Sequence, residues 1–219
     1  MIFTCALFFA LAFVTQYLPL EVGAIAAFTF GVFLLVSVTE SKVGIGPSAD
    51  GMRGPVRFTV SSLEARGWRG GVTLVPSGGE VKAEFATANS PDQPISVEAY
   101  GSGLVASYRR EMGDFADRGV GFVQRWLPRV LVDGLGLAQA AKISKNGNEV
   151  TTALTKPFVR PLCLDTFFAE KVCPRIGCPL VSSIGESLAL AEGKRVSHTN
   201  CVYDPLSEVA TATHRIEKK

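Results

Sequence analysis

Four cysteines and one histidine in the C-terminal third have the clearest capacity for chemistry. Their order is Cys163, Cys173, Cys178, His198 and Cys201, which gives a Cys-x4-Cys pair followed by a His-x2-Cys pair. Zinc takes sulfur and nitrogen ligands tetrahedrally, and structural sites commonly draw two ligands from each of two turns. The pattern therefore predicts a metal site, with zinc as the possible ion, formed by Cys173, Cys178, His198 and Cys201. Cys163 is a substitute ligand.

The same cysteines suggest thiol chemistry as an alternative. Pro179 suits the first position of a helix, which makes Cys178 its cap residue. A sulfur there faces unpaired backbone N–H groups and the positive end of the helix dipole, with Arg175 nearby in sequence, and these conditions lower a thiol pKa. The alternative hypothesis is a membrane-tethered redox protein that uses Cys178, with Cys173 as the resolving partner. The spacing is not Cys-x-x-Cys, so a thioredoxin-like site is not predicted.

Two more interpretations of the cysteines stay open. Cys173 and Cys178 each precede a proline, and paired Cys-Pro dipeptides resemble haem-regulatory motifs in which the thiolate binds iron. Free cysteine is also among the most buried residue types, so the four side chains could simply pack a loop and a helix against a sheet. The protein would then be a structural subunit of a membrane complex with inert cysteines.

The elements that must position these residues form an ordered series from residue 140 onward. A hairpin is predicted around Asn146-Gly147, the strongest hairpin turn signal in the chain. A helix with one apolar stripe follows over residues 179–194, and a final hairpin turns at Asp204-Pro205. His198 and Cys201 lie on the first strand of that hairpin. Side chains three apart on a strand point to opposite faces, so both can reach one site only if a turn or bulge intervenes.

Upstream of residue 140 the sequence predicts further strands and helices. A hairpin is predicted around Gly78-Gly79, and Val56–Ser61 and Ile95–Ala99 are predicted as shorter strands. Two helices are predicted over residues 103–112 and 114–133, the second capped by Asp114 and kinked or divided at Pro128.

Together these elements predict an α+β fold for a soluble domain over residues 56–219, which can consist of two related halves, 56–135 and 136–219. The order of hairpin, cysteine-bearing loop, helix and hairpin is similar to that of the small-molecule-binding domain related to vinyl reductases. The similarity lies in the order of elements and in no residue-by-residue motif, so it implies no ligand or site residue.

The first 39 residues predict a membrane anchor. Two apolar runs, Met1–Tyr17 and Val22–Val38, carry no charged side chain, and each is just long enough to cross a bilayer. Pro19 and Glu21 between them fit a turn at the far surface. Lys and Arg appear only after the second run, which places the soluble domain in the cytoplasm. A two-helix transmembrane hairpin, residues 1–39, and a linker, residues 40–55, are predicted, with a single signal-anchor helix as the alternative.

The location of the domain affects how the cysteines are interpreted. In the cytoplasm, clustered cysteines indicate metal, redox chemistry or packing, whereas an inverted topology would favour disulfides. Trp68 and Trp126 are interpreted as core residues or membrane-interface anchors. Arg125 and Arg129 are interpreted as a solvated face that could also touch lipid headgroups.

Composition and charge narrow the function. The net charge of +2 and the lack of a basic tail predict no nucleic-acid partner. The chain has only two histidines, and His214 is expected to face solvent, so acid–base catalysis has few candidates. We predict a binding or sensing module rather than an enzyme. Residues 1–38 are predicted to lie in the lipid bilayer of the cell membrane, and a small ligand, metal or membrane-protein partner is expected to bind near the cysteines.

Overall fold

A single antiparallel sheet organises the part of the chain that the structure describes. A computed structural model describes residues 56–88 and 90–218, without the side chains of residues 90–92. The strands are β1 (Thr73–Ser77), β2 (Glu80–Thr87), β3 (Ser90–Glu98), β4 (Ala140–Asn146), β5 (Glu149–Thr155), β6 (Val196–Asp204) and β7 (Val209–Ile216). Their order across the sheet is β3-β2-β1-β6-β7-β5-β4. The predicted transmembrane hairpin and linker lie outside the described residues.

The helices complete an α+β fold, as predicted. They are α1 (56–65), α2 (Ser102–Met112), α3 (Val120–Arg129), α4 (Arg160–Cys163) and α5 (Pro179–Glu192). A π-helical turn, Val130–Gly134, continues α3, and a second one, Phe168–Val172, lies between α4 and α5. In residues 56–88 and 90–218, no helix is long and apolar enough to cross a membrane.

The hairpins form where turn chemistry predicted them. Gly78 and Gly79 join β1 to β2 with positive φ angles of 60° and 86°, a backbone region that glycine adopts without steric cost. Gly147 (φ 59°) and Asn148 join β4 to β5, because Asn146 pairs directly with Glu149. The turn is therefore one residue later than Asn146-Gly147.

Two predictions upstream of the cysteines are wrong. Val56–Ser61 is helical rather than a strand. Its buried residues Val56, Val60 and Leu63 recur at helical spacing, and this periodicity outweighs the β propensity of valine. The second helix begins at Val120 rather than at 114, and Asp114 accepts a hydrogen bond from the Ala116 N–H, 3.2 Å away, instead of capping it.

Helix α5 lies at the centre of the domain. It packs against β1, β2, β6 and β7 on one side and against α2 and α3 on the other. Every residue from Pro179 to Ala191 is buried, which is more than the single apolar stripe predicted. Gly193 ends the helix in the left-handed region with φ 60°, where glycine carries no steric penalty. The side chains at either end of α5 thus lie between the sheet and the outer helices.

Candidate functional site

Four different elements bring the four cysteines together. Cys163 ends α4, Cys173 follows the second π-helical turn, Cys178 is the N-cap of α5, and Cys201 lies on β6. All four are free thiols, and each is at most 4% exposed. The predicted N-cap position of Cys178 is confirmed. The fold therefore gathers residues that are up to 38 positions apart, from 163 to 201, in the core beside α5.

The thiols are joined by sulfur-to-sulfur hydrogen bonds. Cys163 bonds to both Cys173 and Cys178, and Cys173 also bonds to Cys201. The order of contact is thus Cys178, Cys163, Cys173, Cys201, in which Cys163 contacts two other thiols. Among the described residues, no three His, Cys, Asp or Glu side chains surround a common point as a metal ion requires. As they stand, the sulfurs form a chain of contacts.

A β-bulge turns His198 and Cys201 to the same side of the sheet. The pairing of β6 with β7 shifts register between His198 and Asn200, which inserts one extra residue and reverses the alternation of side chains. Both His198 and Cys201 are consequently buried, while Thr199 between them is exposed. The sequence required a turn or bulge for His198 and Cys201 to reach one site, and β6 contains that bulge. His198 already bonds through Nε2 to the Cys173 carbonyl oxygen, 2.8 Å away.

The pKa values of Cys163, Cys173 and Cys178 are raised, whereas the redox hypothesis expected a lowered pKa at Cys178. The bond with Cys163 and burial raise the pKa of Cys178 well above its usual value, although the backbone N–H groups of Leu180 and Val181 lower it. The bond with Cys173 is the main cause that raises the pKa of Cys163 to about 12, and burial adds to it. For Cys173, the bond with Cys163 lowers the pKa, but the bond with Cys201 and burial together raise it by more, so the net pKa is raised. Hydrogen bonding between thiols and desolvation therefore outweigh the helix dipole.

Arg175, which was expected to lie near Cys178, contacts other groups. Its guanidinium lies 3.9 Å from the Trp68 ring centroid and forms an ion pair of 2.7 Å with Glu64. Trp68 itself is fully buried and meets Phe85 edge to face at 5.5 Å. Of the two interpretations given for Trp68, a core residue or a membrane-interface anchor, its burial supports the core residue. Arg175 therefore ties α1 to the tryptophan that anchors the loop before β1.

His214 is buried beneath α5 rather than exposed to solvent, so the sequence expectation is wrong. It is 0% exposed, and its ring lies 5.2 Å from that of His198. Burial, together with His198, lowers its pKa to about 3, and burial also lowers the pKa of His198. A Cβ on Gly185 would lie 2.7 Å from His214 Nε2. The absence of a side chain at Gly185 is what lets α5 lie directly on this histidine.

Sequence reasoning missed a buried carboxylate on α5. Glu186 is 1% exposed, and its Oε1 accepts hydrogen bonds from the Gly101 N–H at 2.6 Å and from Ser182 Oγ at 3.1 Å. Burial raises its pKa to about 7 despite those two bonds. One turn earlier, the hydroxyl groups of Tyr108 and Ser183 share a hydrogen bond of 2.8 Å. The available signal was a charged residue with three serines in the middle of an otherwise apolar helix, whose only other charged residue is Glu192 at its end.

Comparison with known proteins adds no relative. No model of a known protein family, no curated protein and no solved structure matches the chain. The functional argument therefore rests on the residues and geometry above.

Proposed function

We propose that this protein is a membrane-anchored binding or sensing module whose α+β domain binds a thiophilic metal ion, zinc by preference, at the four buried cysteines. The observation that carries the proposal is the chain of contacts between four free thiols supplied by four separate elements. Packing alone needs small apolar side chains at these positions, whereas sulfur chemistry needs all four to be cysteine.

Metal binding requires the thiols to lose protons and to turn toward one point. Zinc–sulfur bonds are about 2.3 Å long, so ligand sulfurs in a tetrahedral site lie about 4 Å apart. Three of the six sulfur pairs already contact one another, so metal binding must bring the other three pairs to this spacing. Deprotonation of thiols with raised pKa values makes the affinity strongly dependent on pH. In this arrangement His198 supports the site through the Cys173 carbonyl and is the reserve nitrogen ligand.

The anchor is the second part of the proposal. Residues 1–39 form a transmembrane hairpin, and the positive-inside rule puts the domain in the reducing cytoplasm, where buried cysteines stay available for metal. The chain should remain in the membrane pellet after alkaline extraction. A green fluorescent protein fused to the C-terminus should fluoresce, because this reporter folds poorly after export. Release into the supernatant would contradict the anchor.

Metal content is the decisive test for the cysteines. The full chain, purified anaerobically in detergent, is expected to hold one zinc per molecule and to lose it with Cys173→Ser or Cys201→Ser. Cys5→Ser is the matched control, since Cys5 lies in the apolar N-terminal run, and should keep the metal. Cobalt substitution should give a thiolate-to-metal charge-transfer band that the same variants abolish.

The other interpretations predict different results. A metal-free protein with five free thiols, four of which react only after denaturation, would mean that the cysteines only pack and that the protein is a structural subunit. A metal-free protein with fewer than five titratable thiols after denaturation would mean that disulfides form, in support of the redox alternative.

A further inference from the structure

One face of α3 combines arginines with aromatic rings. Phe122, Arg125, Trp126 and Arg129 lie within α3 at spacings of three, one and three residues, which puts these four on one side of the helix. Arg118 lies two residues before α3 and joins this face by stacking on the Phe122 ring. The three arginines are exposed and Trp126 is 41% exposed. The name basic–aromatic face is used below for these five residues.

The opposite side of α3 fixes the direction in which this face points. Val120, Val123 and Leu127 are buried in the core, with at most 1% exposed. The helix is therefore held by its apolar side and cannot turn Trp126 inward without exposing these residues. Trp126 therefore stays at the surface beside the exposed arginines, and docking would use the combination of the ring with those charges.

Stacking organises the charges over the rings. The guanidinium of Arg118 lies 5.0 Å from the Phe122 ring centroid, and that of Arg129 lies 5.4 Å from the Trp126 ring centroid. The two rings are 6.3 Å apart. Tryptophan and arginine side by side suit the headgroup layer of a bilayer, where the ring takes the interfacial region and the guanidinium binds phosphate.

Charge favours an anionic partner for this face. Residues 118–132 contain three arginines and no Asp or Glu, although the whole chain carries a net charge of only +2. Asp117 and Asp133 flank the segment, and the Asp117 carboxylate is turned toward Gly193, where a Cβ would lie 2.8 Å from its Oδ1. The basic charge is therefore concentrated on the same surface as the exposed tryptophan.

We propose that the basic–aromatic face docks onto the anionic phospholipid headgroups of the membrane that holds the chain. This inference rests on the anchoring proposed for residues 1–39 and is independent of metal binding. Residues 40–55 span no more than about 55 Å even when fully extended, so the tether keeps the domain at a high local concentration near the surface. For a tethered domain, three arginines and one tryptophan are enough for docking, although the same contact would be too weak to bring an untethered domain to the membrane.

The test uses the full chain reconstituted into vesicles that contain phosphatidylcholine brominated near the headgroup. Trp68 is 0% exposed and serves as the unquenched background, so Trp126 reports contact with lipid. Quenching is expected in vesicles with about one third phosphatidylglycerol, to be much weaker in pure phosphatidylcholine and to decrease with salt. Trp126→Phe gives the signal of Trp68 alone.

Charge variants separate docking from anchoring. Arg125→Gln/Arg129→Gln should reduce the ratio of docked to undocked protein about thirtyfold, which corresponds to about 1 kcal/mol per arginine near an anionic surface. The matched control, Arg69→Gln/Lys82→Gln, removes two exposed charges elsewhere and should change nothing.

Three results would overturn the docking proposal. Equal quenching in both kinds of vesicle would remove the role of charge, and equal quenching in both double variants would remove the role of these arginines. Quenching in neither vesicle, with the chain still floating with the lipid, would leave the anchor intact and assign the face to a protein partner. Loss of flotation itself would instead contradict the anchoring.

Discussion

The free energy of unfolding of the domain should depend on pH partly through Glu186. Replacing Glu186 with glutamine should remove most of that contribution. The glutamine oxygen can still accept hydrogen bonds from the Gly101 N–H and from Ser182, which Oε1 of Glu186 accepts now. The shape of the side chain is kept, so the variant changes the ability to ionise and little else. The folded protein should therefore respond differently only where Glu186 changes charge.

The size of the effect follows from the pKa of the buried carboxyl group. It rises from 4.5 to about 7 on folding, mainly through burial. A folded state that holds its proton more tightly is stabilised at low pH, and this contribution is lost as pH rises through the folded pKa. At about 1.4 kcal/mol per unit of pKa, the contribution of Glu186 to the free energy of unfolding should fall by about 3 kcal/mol between pH 4.5 and 7.5.

Urea unfolding of the full chain in detergent, measured from pH 4.5 to 8.5, would test this. His198 and His214 have lowered pKa values in the folded state, so their contribution runs in the opposite direction and is lost as pH falls below about 6.5. Subtracting the Glu186→Gln profile from the wild-type profile isolates the carboxyl group. Glu111→Gln, which removes an exposed carboxylate, should leave the wild-type profile intact. Parallel profiles for wild type and Glu186→Gln would refute the reasoning.

Two further predictions concern packing and the thiols. Gly101→Ala should lower the free energy of unfolding by at least about 2 kcal/mol, because its Cβ would lie 2.3 Å from the backbone N and Cα of Ser183. Gly101 is the N-cap of α2. Gly103→Ala, inside that helix, meets nothing within 4 Å and should be neutral or slightly stabilising by thermal denaturation. Equal losses in the two variants would contradict this account. Iodoacetamide at pH 8 should leave the four buried thiols of the metal-free folded protein unmodified and should alkylate them in urea. The reason is that the pKa of Cys163 is about 12 and those of Cys173 and Cys178 are also raised. Mass spectrometry would measure the extent of alkylation. Rapid modification of Cys178 in the native protein would show that it is an activated thiol.

Local signals were enough to predict most of the regular elements. Gly78-Gly79 and Asn146-Gly147 mark hairpins because few other residues adopt the required backbone angles, and a Pro at N1 with a Gly stop defines α5. Val56–Ser61 failed because β-branched residues favour strands on average, while the burial of Val56 and Val60 depends on packing that a short window does not contain.

The candidate site could be predicted in membership but not in arrangement. The cysteines and His198 were evident from residue type and spacing, and the need for a bulge on β6 followed from the period of a strand. The contact of Cys163 with two other thiols, and the net rise in their pKa values, depend on how α4 and the second π-helical turn fold against α5. Glu186 was missed because its partner Gly101 is 85 residues away.

The bulge on β6 has a consequence for how related sequences should be recognised. The extra residue makes His-x2-Cys the spacing that places His198 and Cys201 on one side of the sheet. In a homologue without the bulge the equivalent spacing is His-x-Cys, since alternate residues of a regular strand share a face. A search pattern fixed at two intervening residues would reject that homologue, although its histidine and cysteine occupy the same place. Homologues that differ by one residue in β6, and that still keep the histidine and the cysteine on one side of the sheet, would indicate that the site is under selection.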